Sequence, residues 1–130
     1  MTKTSNAQWK QRLTPEEFHI LREKGTEPAF NNKYHNEKSE GTYLCVGCKN
    51  PLFSSGNKFD SGTGWPSFTK PKNDNSIKTK QDNSLALSRT EVLCKTCGSH
   101  LGHVFEDGPK EKGGKRYCIN GIALNLKHET

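Results

Sequence analysis

The stretch Leu93-Cys94-Lys95-Thr96-Cys97-Gly98-Ser99-His100-Leu101-Gly102-His103-Val104-Phe105 decides the fold of this chain. It begins with a Cys-x-x-Cys pair, and an earlier pair with the same spacing, Cys45 and Cys48, lies in the first half of the sequence. Four thiolates suit a tetrahedral zinc ion, and a shell closed by four protein sulfurs leaves no position open for catalysis. The two pairs therefore predict one structural Zn²⁺ ion, held by Cys45, Cys48, Cys94 and Cys97, that joins β segments far apart in sequence.

Two alternatives for these four cysteines stay open, namely two disulfides or four inert thiols. Disulfides are rare in intracellular proteins. The first residues lack the hydrophobic segment of a secretory signal, and no apolar run is long enough to cross a bilayer. We therefore expect a cytoplasmic protein with no membrane partner, and zinc rather than disulfides.

The composition indicates a domain with a thin apolar core and a positive charge. Only 29% of the 130 residues are hydrophobic, and the mean hydropathy is -0.95, so we expect something besides apolar burial to help stabilise the fold. The net charge is +6, but the basic residues are scattered, with mild concentrations at 70–80 and 110–116 that solvated loops explain. We expect a monomer that binds no nucleic acid.

The N-terminal part predicts a polar tail over residues 1–13, followed by a single domain over residues 14–127. Thr14 is placed as an N-cap, with Pro15 at the first helical position and Glu17 completing a capping box. Gly25 marks the end of this helix, which is the one helix that the sequence predicts.

The rest of the chain predicts a mainly β domain. Residues in these segments are β-branched or aromatic, or alternate between polar and apolar. Strands are predicted at 42–46, 51–53, 76–80, 85–93 and 116–126, with a turn at Asp82-Asn83 and loops at 60–68 and 108–114.

Cys118 is the cysteine that remains once the two pairs are set aside. A lone cysteine is often a small buried hydrophobe. On a strand, however, Arg116 and Asn120 share its face, and a guanidinium beside a thiol favours the nucleophilic thiolate. An alternative is that Asn120-Gly121 is a hairpin turn between two strands.

His100 and His103 are candidate partners of that thiol. Residues three apart on a regular strand point to opposite faces, so the chain must bend at Gly102 if both histidines serve one site. An imidazole near a thiolate can hold the ion pair and donate a proton near neutral pH.

Five motifs in order resemble the methionine-R-sulfoxide reductases, type B, and the resemblance extends from Thr14 to about Leu126. The motifs are Cys45-x-x-Cys48, Gly62-Thr63-Gly64-Trp65-Pro66-Ser67-Phe68, Cys94-x-x-Cys97, His100-Leu101-Gly102-His103-Val104-Phe105 and Arg116-Tyr117-Cys118-Ile119-Asn120. The resemblance implies two packed antiparallel sheets with a structural zinc site away from the active site. It also implies reduction of the R epimer of methionine sulfoxide, free or in oxidised proteins, with electrons from thioredoxin.

The resemblance assigns roles to individual residues of this chain. Cys118 attacks the sulfoxide sulfur, and His103 is the acid toward the sulfoxide oxygen, with His100 and Asn120 in support. Trp65 packs against the substrate methyl group, although ordinary core packing also explains a tryptophan. Phe105 and Arg116 complete the substrate-binding residues.

One position departs from many members of the family. Those carry a second, resolving cysteine where this chain has Thr63, and the other four cysteines are assigned to zinc. We therefore predict that thioredoxin or a small thiol reduces the Cys118 sulfenic acid directly.

Two other classes of function remain as alternatives. A zinc-ribbon binding module explains the cysteine pairs and the charge, but a single-strand binder interleaves aromatic and basic residues on a sheet face, and that pattern is absent from the sequence. A cysteine hydrolase that uses Cys118 and His103 has the right residue types but no oxyanion-hole or triad signature.

Overall fold

The computed structural model describes residues 6–23, 34, 37, 39–59, 64–82 and 89–128. Within these residues the chain forms two α-helices and nine strands. The elements are α1 (Asn6–Arg12), α2 (Pro15–Arg22), β1 (Gly41–Cys45), β2 (Pro51–Ser54), β3 (Lys58–Phe59), β4 (Ser67–Phe68), β5 (Ile77–Asp82), β6 (Arg89–Cys94), β7 (His100–Phe105), β8 (Arg116–Ile119) and β9 (Leu124–His128).

The strands form two antiparallel sheets, which confirms the predicted fold class. The smaller sheet has the order β2-β1-β9, and the larger has the order β3-β4-β8-β7-β6-β5. Strands β6 and β7, and then β7 and β8, pair antiparallel at the centre of the larger sheet. This central region carries most of the candidate site residues.

Aromatic side chains pack the two sheets together. Phe53 of β2 stacks on Phe68 of β4 with ring centroids 4.4 Å apart. Tyr43 of β1 meets the same Phe68 ring edge-on at 5.2 Å. All three side chains are fully buried. Such pairs contribute about 0.5–1.5 kcal/mol each beyond the burial of their area, so a few aromatics stabilise much of a core that is otherwise short of apolar residues.

The predicted start of helix α2 is confirmed. The Thr14 hydroxyl accepts a hydrogen bond from the Glu17 backbone N–H at 3.1 Å. The Glu17 carboxylate accepts one from the Thr14 N–H at 2.9 Å. This capping box satisfies two N–H groups that a helix leaves unpaired. The helix ends at Arg22, and Gly25 lies outside the described residues.

Residues 6–13 are not the polar tail that the sequence predicted. They include helix α1, and Trp9 and Leu13 are 2% and 8% exposed in the core. The two apolar side chains are four residues apart and so share a helix face, but the polar residues around them conceal this pattern. The ring of Trp9 packs against the turn at Gly47, where an added Cβ would lie 3.1 Å from ring atom Cζ3.

The predicted strand 116–126 is wrong in its middle. A 3-10 turn, Gly121–Ala123, separates β8 from β9, and the two strands belong to different sheets. The hairpin alternative at Asn120-Gly121 is also wrong, because β8 pairs with β4 and β7 whereas β9 pairs with β1. The turn carries the chain from one sheet to the other directly after the candidate nucleophile.

Other predicted strands agree in place but differ in extent. β1 and β2 lie where they were predicted, whereas β6 begins at Arg89, with 83–88 outside the described residues. Asp82, assigned to a turn, is the last residue of β5. In the loop 60–68, residues 60–63 lie outside the described residues and Ser67–Phe68 is a strand.

A β-bulge replaces the bend that was predicted at Gly102. His100 pairs with Leu93, and Gly102 pairs with the adjacent Val92, so β7 has one extra residue at this point. Such a bulge changes the side-chain alternation. Gly102 serves a different purpose: an added Cβ there would overlap the backbone carbonyl oxygen of Cys118. The missing side chain lets β8 lie close against β7.

This contact predicts the effect of Gly102→Ala. The added methyl group must push β7 and β8 apart, and we expect a loss of about 1–3 kcal/mol in the free energy of unfolding, or failure to fold. Urea unfolding measures this loss. Gly56→Ala is the matched control, since the nearest atom to its added Cβ is 3.7 Å away. Equal stability of the two variants would contradict the close approach of the strands.

Candidate functional site

A cavity of about 200 Å³ opens over the centre of the larger sheet. Its walls combine a thiol, an imidazole, two guanidinium groups and several apolar surfaces. The lining residues are Trp65, Arg89, Gly102, His103, Phe105, Arg116, Cys118, Ile119 and Asn120. The fold thus gathers six of the seven predicted catalytic and substrate-binding residues around one space, and the seventh, His100, lies beside His103.

Backbone pairing places the candidate nucleophile next to the candidate acid. Cys118 of β8 is directly opposite His103 of β7, and His103 is directly opposite Glu91 of β6. Side chains of such cross-strand pairs lie on the same face, with Cβ atoms about 4.5–5.5 Å apart. Thiol, imidazole and carboxylate therefore form one row across three strands.

Cys118 is partly exposed at the cavity, with Arg116 two residues before it on the same strand face. The pKa of Arg116 is raised, first by a hydrogen bond to Asp107 and to a smaller extent by the charge of Cys118 and a hydrogen bond with it. The guanidinium therefore remains cationic beside the sulfur. A neighbouring cation favours a thiolate over a thiol.

Two contacts hold the Arg116 side chain in place. Its Nε and Nη2 donate hydrogen bonds to Asp107 Oδ1 and Oδ2 at 2.8 and 3.1 Å. Its guanidinium carbon also lies 4.5 Å from the centroid of the Phe105 ring. The hydrogen bond from Arg116 lowers the pKa of Asp107 in turn. Sequence reasoning missed Asp107, whose position four residues after His103, just beyond a strand end, was the available signal.

Asn120 is fixed against β7 by two hydrogen bonds to one acceptor. Its backbone N–H donates to the Leu101 carbonyl at 2.9 Å, and its side-chain Nδ2 donates to the same oxygen at 3.1 Å. The side chain is 4% exposed. It is therefore a rigid part of the cavity wall rather than a mobile polar group.

His100 is buried behind His103. The two imidazole rings are 5.4 Å apart at an angle of 67°, so the bulge brings together two side chains that a regular strand would separate. Nδ1 of His100 lies 2.7 Å from Oε2 of Glu91, and the two side chains are 3% and 1% exposed. Sequence reasoning missed both Glu91 and Arg89, although their spacing by two residues places two charges on one face of β6.

The four paired cysteines converge at a second place. Their sulfur atoms all lie within 4.8 Å of one another, with Cys45 and Cys97 at 3.8 Å and Cys48 and Cys94 at 3.5 Å. Four sulfurs at Zn–S distances of about 2.3 Å would be separated by about 3.8 Å in a tetrahedron. The cluster therefore has the size and chemistry to hold a metal ion, and none of its residues lines the cavity.

Ionisation of the cluster supports the same conclusion. Hydrogen bonds with Cys45 and then Cys48 lower the pKa of Cys94 to about 7. Hydrogen bonds with the other three thiols, together with burial, raise the pKa of Cys45 well above its ordinary value. Without a cation, some of these thiols keep their protons so that others can ionise. A divalent metal ion removes that conflict because it binds thiolates.

Comparison with known proteins identifies the family. A family model described as "SelR domain" matches residues 13–128. The chain belongs to this family. A relative in Methanosarcina barkeri named "Peptide methionine sulfoxide reductase MsrB" is 52% identical over 125 residues, which cover 96% of this chain and 87% of the relative. The Leptospira interrogans protein of the same name is 49% identical, with coverage of 96% and 95%.

A third relative, from Arabidopsis thaliana, is named "Peptide methionine sulfoxide reductase B1, chloroplastic". It is 55% identical over 123 residues, which cover 94% of this chain but 60% of the relative. The SelR match confirms the resemblance stated from the five motifs. It also confirms an oxidoreductase, so the zinc-ribbon binding module and the cysteine hydrolase are set aside.

The described part of the chain contains no helix with the length and apolar character that a membrane span requires.

Proposed function

We propose that this protein reduces methionine-R-sulfoxide, free or in oxidised proteins, to methionine with Cys118 as the nucleophile. One observation carries the proposal: Cys118 and His103 are directly paired across β7 and β8, at a cavity that a cationic Arg116 also lines. Membership in the reductase family supports the same chemistry. The R epimer follows from the resemblance of the five sequence motifs.

The reaction needs a nucleophile and an acid on the two sides of the sulfur–oxygen bond. The Cys118 thiolate attacks the sulfoxide sulfur while His103 donates a proton to the sulfoxide oxygen. The attack forms a bond between the Cys118 sulfur and the substrate sulfur. This bond and the sulfur–oxygen bond of the substrate then break as the protonated oxygen passes to the Cys118 sulfur. The substrate sulfur gains two electrons and becomes a thioether, and Cys118 becomes a sulfenic acid. His100 and Asn120 support His103 in this step.

The aromatic walls of the cavity suit the apolar methyl thioether part of the substrate. A methyl thioether is apolar and polarizable, and an aromatic surface is a favourable neighbour for it. Trp65 supplies such a surface and packs against the methyl group. This packing favours binding of the R epimer. Phe105 and Arg116, already stacked on one another, bind the remainder of the substrate.

The catalytic cycle uses one cysteine. A thiol of thioredoxin, or a small thiol, attacks the Cys118 sulfenic acid, releases water and forms a mixed disulfide. A second thiol then displaces Cys118 and leaves the reductant as a disulfide. The chain has five cysteines, and the four others are gathered in the cluster.

We propose that the protein reduces methionine sulfoxide as a monomer in the cytoplasm.

The metal in the cluster is zinc, with a structural role. Zinc prefers tetrahedral coordination by thiolates, and a shell of Cys45, Cys48, Cys94 and Cys97 leaves no open coordination site. When bound, the ion supplies stability and no step of the reaction. Because the unfolded chain lacks this arrangement of sulfurs, the free energy of metal binding becomes free energy of folding.

The first prediction concerns stereochemistry and the nucleophile. With dithiothreitol as reductant, we expect turnover of the R epimer of a blocked methionine sulfoxide and no turnover of the S epimer. Cys118→Ser should abolish activity, because a hydroxyl is not ionised at neutral pH. Separate assays of the two epimers by chromatography measure this. Folded, metal-loaded wild-type protein that reduces neither epimer would overturn the proposed function.

The second prediction concerns the one-cysteine cycle. After a single turnover without reductant, intact mass spectrometry with a sulfenic-acid trap should find one modified thiol, located at Cys118 by peptide mapping. The reason is that every other cysteine is held in the cluster. Detection of an intramolecular disulfide that contains Cys118 would contradict this cycle.

The third prediction concerns the metal. Purified protein should contain one zinc ion per chain by elemental analysis, and Cys48→Ser should lower both the zinc content and the thermal unfolding midpoint. Cys118→Ser is the matched control, and it should keep the ion because Cys118 lies outside the cluster. Disulfides among the four clustered cysteines in freshly purified protein would contradict the zinc assignment.

A further inference from the structure

Glu91 is a buried carboxylate that the proposed reaction does not use. Its side chain is 1% exposed at the centre of the larger sheet. Acidic side chains are almost never fully buried unless they are paired, and replacing a buried ion pair by apolar residues often costs nothing in stability. A glutamate in this position therefore calls for a reason beyond packing.

The hydrogen bond of Glu91 defines the proton position on His100. Nδ1 of His100 lies 2.7 Å from Oε2 of Glu91. An ionised carboxylate can only accept a hydrogen bond, so we infer that Nδ1 of His100 is the donor. A partner behind one ring nitrogen fixes the tautomer and the orientation of an imidazole. The edge of the His100 ring is then held against His103 at a centroid distance of 5.4 Å.

The charge of Glu91 also opposes the cations of the cavity. An imidazolium is disfavoured by nearby cations and favoured by a carboxylate within about 4–6 Å. The neighbouring elements carry further charged or titratable groups. They are Glu16, Glu17, His19 and Arg22 of α2, Lys78, Lys80 and Asp82 of β5, Arg89 and Cys94 of β6, and Arg116, Tyr117 and Cys118 of β8. Among the described residues of these elements, Glu91 is the buried carboxylate that faces the histidines. Asp107 is 65% exposed and already paired with Arg116.

We propose that Glu91 is a positioning residue of the reductase, which orients His100 and keeps the His100–His103 pair protonated for the step that protonates the sulfoxide oxygen. The inference rests on the proposed function. Glu91 does not touch the substrate, because it is absent from the cavity lining. Its effect passes through His100 by the hydrogen bond and through His103 by its direct pairing on the neighbouring strand.

The test is the pH dependence of methionine formation in a single turnover, with wild type and Glu91→Gln. Glutamine keeps the size and a carbonyl acceptor but removes the charge, so the protonated form of the histidine pair should become less favoured. The acid is active below its pKa and lost above it, and the basic limb of the profile should therefore move to lower pH. We expect a rate near wild type at the acidic end of the profile and about a tenfold loss at its basic end, the effect of removing one nearby opposite charge.

Glu106→Gln is the matched control. Glu106 is an exposed carboxylate directly after β7, and its neutralisation should leave the profile unchanged. An equal loss at every pH in Glu91→Gln, with a lower unfolding midpoint, would mean a structural role only and would overturn the proposal. An unchanged profile would overturn it as well. Both results require an active wild type, so they are distinct from a failure of the proposed function.

A second measurement does not depend on the variant or on activity. Long-range ¹H–¹⁵N spectra of the wild-type imidazoles report which ring nitrogen carries a proton. We expect a proton on Nδ1 of His100 across the pH range of the assay. A neutral His100 with its proton on Nε2 alone would overturn the proposal even if Glu91→Gln did not fold.

Discussion

The convergence of four thiols between the two sheets is the constraint on which the rest of the structure depends. Cys45 ends β1 of the smaller sheet, and Cys94 ends β6 of the larger sheet, so each sheet contributes one pair of sulfurs. A chain with 29% hydrophobic residues buries too little apolar surface to hold two sheets rigidly by packing alone. A metal ion bound by the cluster would join the two pairs of sulfurs and so link the two sheets. Helix α1 supports the same place, since Trp9 packs on the turn between Cys45 and Cys48.

Strand β7 connects this anchor to the cavity. It begins three residues after Cys97, and within six residues it supplies both histidines and the glycine against which β8 lies. Cys118 then gains its partner His103 through backbone pairing, without any long or flexible side chain reaching across a gap. Sites built on paired strands are held more precisely than sites on loops. The cysteine cluster lies apart from the cavity and is still connected through β7 to the residues that line it.

The sequence correctly predicted features that depend on residues only a few positions apart. The capping box of α2 and the two Cys-x-x-Cys pairs depend on neighbours within a few residues, and both appear in the fold as expected. Features that depend on strand partners could not be read in this way. The bulge between His100 and Gly102 exists only relative to β6. The turn after Cys118 was missed because Gly121–Ala123 joins two strand-like segments whose different sheets the sequence does not reveal. Glu91 was missed for the same reason. The sequence does not show that this glutamate is buried or that it contacts His100.

The row of Glu91, His103 and Cys118 bears on the two opposite protonation states that the proposed reaction places in one small cavity. The reaction requires a thiolate and a protonated acid together, and one cation beside both groups would favour the first and disfavour the second. Two cations line the cavity, Arg116 on β8 and Arg89 on β6, so a carboxylate beside His103 is needed to offset them. Arg116 lies on β8 with Cys118, whereas Glu91 lies on β6, beyond His103. In the proposed reaction, His103 lies between the carboxylate of Glu91 and the thiolate of Cys118, and both negative charges favour a proton on the imidazole. Groups whose environments differ in this way take distinct roles as acid and nucleophile, and here the difference comes from the order of three neighbouring strands.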